Sequence, residues 1–499
     1  MAALKNKKIE KRRVEMKKRL GLLLALVLSI GTILSACTSK DSSTSEKDGK
    51  NGQPYEIKWY TIGTPQKDTD KVFAEVNKYL KKKINATVKM TQIDWGDWDQ
   101  KSQVIINSGE SFDITFTNGT KYVQNAQKGA FMAIDDLLNK EGKDLKQVID
   151  PALLEGIKIN GKVYGVPTNK EAARQSVYTF NKRLVDKYQF DITKVKTLED
   201  LEPMLKVIKE SEPTITPVAT FKAYLPYDYI FNNELPFGFP LEGDRDHVIN
   251  FFESDLAMQT YKTMHNYYKA GYLKEDAATS KDSWPMDVEN WFVRMGDSAP
   301  YADLLWSRSA KYDVVSVPAE EPTTFNDSVS GAIQAISATS KNPKKAMEFL
   351  NLLNTDPYLR NLVDKGIEGV HYKKNDNGTI KDLPARVEKY NIPTYSIGNF
   401  YTLYLYDNDP KDKWDKFKEF NSAAKPAPTL GFHFNNDPVR SEIAAITNIS
   451  KEFYPALATG SVDPEEYLPK YNKKLKEAGI DKVLKEIQKQ FDEWKSKNK

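Results

Sequence analysis

Between Tyr55 and Gly119 the sequence alternates strand-like and helix-like segments, and that rhythm leaves few folds open. "YEIKWYTIG" (55–63) is a β-rich run ending in glycine, and residues 68–83 set Val72, Val76, Tyr79 and Leu80 on one helical face. "ATVKMTQID" (86–94) alternates as a second strand, and "DWDQKSQVIINSG" (97–109) returns to the helical pattern and stops at glycine. "FDITFTNG" (112–119) is a third strand running into a polar turn. Strand–helix–strand–helix–strand at this spacing demands right-handed crossovers and a largely parallel sheet. The class is therefore α/β, and ligands of such sheets sit beyond the carboxyl ends of the strands. Here those ends carry "TIGTP" (61–65), "DWGDW" (94–98) and "TNGTK" (117–121).

The rest of the body is less regular. "GKVYGVPTNKE" (161–171) has the pattern of a strand leaving the first lobe, and "AYLPYDYIFNNELPFGFP" (223–240) that of a loop crowded with aromatics, Pro and Asn. "DLAMQTYKTMHNYYKAG" (255–271) is an amphipathic helix closed by Gly271. "KYDVVSVPAEEP" (311–322) and "SVSGAIQAISATS" (328–340) are expected to pair on either side of a turn. Asn342-Pro343 and Asp356-Pro357 each place a cap before a proline at the first helical position. The C-terminal sixty residues are helical, with Tyr467, Tyr471 and Leu475 on one stripe and Ile480, Leu484, Ile487, Phe491 and Trp494 on another after Gly479. A chain of 499 residues that is 40% apolar is expected to divide into more than one core.

The single cysteine, Cys37, stands behind an apolar run. "MKKRLGLLLALVLSIGTILSAC" (16–37) has a basic start, fifteen mostly apolar residues from Leu20 to Leu34, then small residues, the three-part layout of an export signal. The run is short for a membrane span, which needs about 20 apolar residues. "LSAC" (34–37) resembles the bacterial lipobox, whose cysteine thiol is joined to diacylglycerol after the signal is cut away. On that reading residues 1–36 are removed, Cys37 carries the lipid, and no thiol remains for a disulfide. Residues 37–54 are polar and rich in Ser, Lys, Asp and Gly, a tether spanning about 23 Å as a random coil. The first 36 residues hold nine Lys/Arg against two Asp/Glu, so the whole chain's formal +4 becomes −3 in the remainder. A body so near neutrality gives no electrostatic basis for nucleic-acid binding.

Chemistry-bearing motifs are absent from the sequence: no HExxH, GxSxG, GxxxxGK[ST] or GxGxxG occurs. The four histidines lack metal-ligand spacing, and "YDNDPKDK" (406–413) is expected to be an acidic surface loop. No catalytic residue, metal or cofactor is assigned. Aromatics carry more. Several of the eight Trp lie in polar segments, among them Trp95, Trp98, Trp284, Trp306 and Trp414, where a flat indole suits the apolar face of a sugar ring. Trp59, inside a strand, and Trp494, on a helix stripe, belong to cores.

Together, "SGESFDITFTNG", "GAFMAIDDLL" (129–138) and "NGKVYGVPTN" (160–169) resemble the first half of family-1 extracellular solute-binding proteins. "AISATSKNPKKAMEFLNLLNTDPYLRNLVDKGIEGVHY" (335–372) resembles the segment where such chains re-enter the first lobe. "GFHFNNDPVRSEIAAITNI" (431–449) with residues 460–494 resembles the C-terminal region of a Gram-positive lipoprotein subgroup. The resemblance implies a two-lobed, type II periplasmic-binding-protein-like fold with its ligand cleft between the lobes. Lobe 1 would take 55–169 with about 330–385, and lobe 2 would take 170–329 with about 386–499, joined by crossings near 168–171, 328–332 and after 372. It implies a lipid-anchored monomer on the outer face of the cell membrane that captures a carbohydrate and hands it unchanged to ABC permease subunits. The ligand set would be Thr61, Gly63, Trp95, Asn118, Glu171, Tyr229, Trp284, Trp306 and Glu368. A peptide-binding protein of the same fold, a surface glycosidase and a sugar sensor are the other readings that the sequence leaves open.

Overall fold

The computed structural model describes residues 52–219, 225–279 and 286–498. The leader, Cys37 and Trp284 lie outside the described residues. The alternation read from 55 to 119 is realised as β1 (Tyr55–Ile62), α1 (Thr69–Ile84), β2 (Ala86–Ile93), α2 (Trp98–Asn107) and β3 (Ile114–Thr117), followed by α3 (Gly119–Gln127). α1 buries Val72, Phe73, Val76 and Leu80 and ends at Asn85, whose φ of 49° turns the chain into β2. β4 (Gly165–Pro167) and β9 (Ile333–Ile336) complete a sheet of order β2-β1-β3-β9-β4, in which β1 runs parallel to β2 and β3 while β9 is antiparallel to β3 and β4.

A second sheet is built from β5 (Gln175–Asn181), β6 (Thr216–Val218), β7 (Trp291–Ser298) and β8 (Val314–Pro318), in the order β8-β5-β7-β6. α4 (Asp255–Lys269) and α5 (Ala302–Ala310) belong to this lobe, and each lobe has its own hydrophobic core. Residues 314–318 and 333–336 are therefore not a hairpin. β8 pairs with β5, and β9 pairs with β3 and β4, because the chain crosses from the second lobe to the first between them. The first core also takes in Tyr390, Ile392 and Ile397.

α6 (Pro343–Thr355) and α7 (Pro357–Lys365) start where the Asx-Pro pairs are. Asn342 accepts from the Lys345 amide, and Asp356 accepts from those of Tyr358 and Leu359. Three segments lie side by side where the lobes join. Arg174 and Thr323 exchange backbone bonds at 2.8 and 2.9 Å, Thr323–Thr324 pairs with Lys425–Pro426, and Asn169 bonds the backbone of Gly398 and Phe400. Asn421, on α8 (Lys413–Ala423), clasps the first crossing by accepting from the Ala172 amide and donating to the Lys170 carbonyl.

α9 (Arg440–Ala458), α10 (Pro464–Glu477) and α11 (Ile480–Asn498) form a third core with the 227–250 region, which the aromatic loop does not leave irregular. Tyr227–Tyr229 and Phe237–Pro240 pair as antiparallel strands, since alternate residues there (Tyr227, Phe237, Phe239) bury their rings. Trp494 closes this core against Phe432 and Phe491. Gly460 (φ 71°) lets the α9–α10 turn seat on α4, where a Cβ would stand 2.2 Å from the Met264 carbonyl carbon.

Buried Asp228 clips the small sheet to the returning chain, accepting from the Thr429 amide at 2.8 Å and its hydroxyl at 2.7 Å. Burial pushes its carboxyl up to about 6, against the lowering effect of those two donors. A folded value above the unfolded one means the stability from this group is fully present below about 4 and is lost as pH rises through 6. Asp228→Asn is therefore expected to raise stability over the wild type by roughly 2–3 kcal/mol at pH 7.5 and by almost nothing at pH 4, as read by urea unfolding. An equal difference at both pH values would mean that Asp228 does not titrate in this window.

Candidate functional site

The carboxyl ends of β1, β2 and β3 bring Thr61, Gly63, Trp95 and Asn118 to one edge of the first sheet, because parallel strands in register end together: Ile62 pairs with Ile93, and Trp59 with Ile114. Trp95 is 48% exposed and Tyr395 37%, and the two rings stack with centroids 6.1 Å apart and planes 22° from parallel. Phe116 meets Tyr395 edge-on at 6.5 Å and Trp98 at 5.4 Å, which fixes the platform to the small core under the strand ends. Trp98 is buried, so of the two indoles flanking Gly96 only Trp95 is presented outward.

Around the platform the polar groups differ in access. Asn118 caps α3 with extended backbone, and its exposed amide makes no cap bond. Thr61 is buried, and among the described residues its hydroxyl has no partner, as is the case for the amide nitrogen of neighbouring Gln92. Gly63 (φ 137°) donates its amide to the Ile93 carbonyl and lets Pro393 close over it; a Cβ there would lie 2.9 Å from Pro393 Cδ and 3.2 Å from Gln92 Nε2. The glycine thus serves the approach of the 393–395 segment.

The other candidates are dispersed. Glu171 lies on the first crossing, ion-paired with Lys170 at 2.7 Å. Glu368 is exposed in the turn after α7, bridging to Tyr372. Trp306, on α5, is half-buried against the cluster of Ala219, Trp291 and Val314. Tyr229 packs edge-on against Phe251 in the third core. On the second-lobe side of the crossings, burial raises the Asp297 carboxyl, opposed by Arg174, which also pairs with Asp327 at 2.8 Å. The 406–413 loop spends its carboxylates internally: Asp407 accepts from Thr379, Asp409 from Lys413 and Asp412 from Tyr301. Among the described residues no group of three or more His, Cys, Asp or Glu is placed to hold a metal.

A cavity of about 400 Å³ opens elsewhere, in the second lobe, over Tyr178 and Met295 and beside the Thr323–Pro426 pairing. None of the sequence candidates among the described residues lines it, so it is a separate space from the strand-end platform. Tyr395 and Gln92 were missed by the sequence reading. The criterion used for Trp, an aromatic set among polar and turn-forming residues, applies equally to Tyr395 in "NIPTYSIGN".

A family model described as "Bacterial extracellular solute-binding protein" matches residues 63–359, and one described as "Domain of unknown function (DUF3502)" matches 428–496. A carbohydrate ABC transporter substrate-binding protein of Streptococcus pneumoniae serotype 4 is 38% identical over 485 residues, covering 96% of this chain and 98% of its own. The polygalacturonan/rhamnogalacturonan-binding protein YtcQ of Bacillus subtilis is 23% identical, over 74% of this chain and 76% of its own. Among solved structures, the N-glycan transport solute binding protein NgtS from Streptococcus pneumoniae superposes with a TM-score of 0.82 at 38% identity, over 89% of this chain and 100% of that one. Its complex with Man5GlcNAc gives 0.66 at the same identity, over 89% and 99%.

Proposed function

The chain belongs to the bacterial extracellular solute-binding proteins, and from that premise we propose that it captures an oligosaccharide between its lobes and delivers it to ABC permease subunits. The observation that carries the reading is the outward-facing Trp95–Tyr395 stack at the carboxyl ends of the parallel strands. Ring faces of this kind cover the apolar face of a pyranose, and Asn118, at the end of β3 on the same sheet edge, makes no cap bond with its amide and could meet the sugar hydroxyls. Man5GlcNAc is the first ligand to test, because NgtS, similar over nearly the whole described chain, is solved in complex with it.

The lobes of this reading are 55–169 with 330 to about 397, where the first core ends, and 170–329 with the remainder. Three narrow crossings can absorb a rotation, and a ligand touching both lobes favours the closed arrangement. Cys37 would carry the lipid that holds a monomer at the outer face of the cell membrane. No covalent chemistry is assigned to the chain.

Calorimetric titration of residues 55–499 with Man5GlcNAc, kestose and a peptide mixture tests the reading. Saturable binding of a saccharide with no new reducing ends is expected. Binding of peptides alone, or of none of the three, would overturn it.

A further inference from the structure

Tyr395 sits in a short run whose main chain is gripped from beneath by buried side chains. Arg360 on α7, fully buried, donates to the Ile397 carbonyl at 2.9 Å and to the Thr394 carbonyl at 3.4 Å. Its guanidinium also donates to Asp364 Oδ2 at 2.7 Å, while the Thr394 hydroxyl donates to Asp364 Oδ1 at 3.1 Å. Lys365 and Arg386 approach that same Oδ1 at 3.1 and 3.8 Å. From the other side, the Gln334 amide donates to the Ser396 carbonyl at 2.7 Å and accepts from Trp59 Nε1 at 2.8 Å. Gly398 (φ 65°) presses so closely on Arg360 that a Cβ would stand 2.5 Å from its Nε.

Three cations around one carboxylate are a costly way to fill a core, since a well-packed apolar cluster is often as stable. Apolar packing cannot, however, fix the direction of two carbonyls and a hydroxyl on either side of one residue. We propose that the Arg360–Asp364–Arg386 cluster is a positioning device that sets the Tyr395 ring against Trp95, which makes Thr394, Arg360 and Asp364 determinants of saccharide affinity although they lie beneath the binding face. The inference rests on the platform being the saccharide surface.

The test uses the full mature chain carrying Thr394→Val, a near-isosteric change that removes one hydrogen bond and keeps every charge, with Thr394→Ser as the conservative rescue. Against Man5GlcNAc by calorimetry, Thr394→Val is expected to weaken binding about fivefold and Thr394→Ser less than about twofold, with the melting temperature held within about 2 °C. In a Tyr395→Ala background the effect of Thr394→Val should fall below about twofold, because the ring it positions is gone. The same loss in both backgrounds, or no loss in either, would overturn the proposal. In ligand-free protein Thr394→Val should shift the tryptophan emission, and that shift should vanish in a Trp95→Phe background. A shift independent of Trp95, or none, also overturns it. If the wild type binds no saccharide, the functional reading fails by itself and the emission measurement still decides the positioning role.

Discussion

Arg360→Ala is expected to destabilise the first lobe by about 3–5 kcal/mol, the range found when one partner of a buried ion pair is removed. The side chain is fully buried, and its loss strips Asp364 of its shortest charged contact, leaves the Ile397 carbonyl without its donor and leaves the Thr394 carbonyl with only the Ile397 amide at 3.5 Å. Burial pushes the Asp364 carboxyl up, but Lys365, Arg360 and Arg386 outweigh it and hold the group well below the usual carboxylate range. A depressed folded value contributes stability that is present above the unfolded value near 4 and is lost as pH falls below it. The Arg360→Ala penalty should therefore shrink on acidification, since the wild type itself loses the charged partner. Calorimetry should show the first transition falling by roughly 8–15 °C at pH 7, with the two lobes' transitions separating because only one is weakened. A shift under about 3 °C would mean that the remaining two cations suffice to hold Asp364 and the 394–398 run.

That cluster is also the clearest case of structure hidden from the sequence. Arg360 and Asp364, four apart on a helix, have the spacing of an exposed surface pair, and nothing local says that the 394–398 chain will be laid over them. The elements that were legible are those whose causes are local: β1 to β3 and their helices announce themselves by periodicity, and α6 and α7 by Asx-Pro starts whose side chains do cap the helices. The failures come from long-range placement. Residues 314–318 and 333–336, close in sequence and both strand-like, would pair by proximity, yet a lobe crossing sends them to different sheets. Residues 227–240 are hidden by Pro240 at the end of one strand and Gly238 inside it, in strands only three and four residues long. Of the candidate site, the residues at strand ends gather because topology fixes them. Trp306 and Tyr229 could not be told from core aromatics until their neighbours, Trp291 and Phe251, were known.

This difference in neighbours separates two tryptophans that the sequence treats alike. Trp95→Ala is expected to weaken oligosaccharide binding by about thirtyfold, the loss of roughly 2 kcal/mol usual for a central aromatic anchor. Its ligand-free melting temperature should stay within about 2 °C of the wild type, because surface changes away from the core are usually near neutral. The indole is half exposed, among the described residues its ring contact is with Tyr395 alone, and a Cβ at the adjacent Gly96 would meet none of them. Trp306→Ala should do the reverse at the level of the fold. Its ring helps cover Trp291 and Val314, so truncation opens a defect beside β7 and β8 worth about 2 kcal/mol or more. Any change in affinity from that variant should come with lowered stability, whereas Trp95→Ala should alter affinity alone. Titration and thermal unfolding of both variants distinguish the two roles. If Trp95→Ala bound normally while Trp306→Ala lost the ligand at full stability, the binding surface would have to be moved from the first-lobe strand ends to α5. The carboxyl-end rule for parallel sheets would then locate only half of this site.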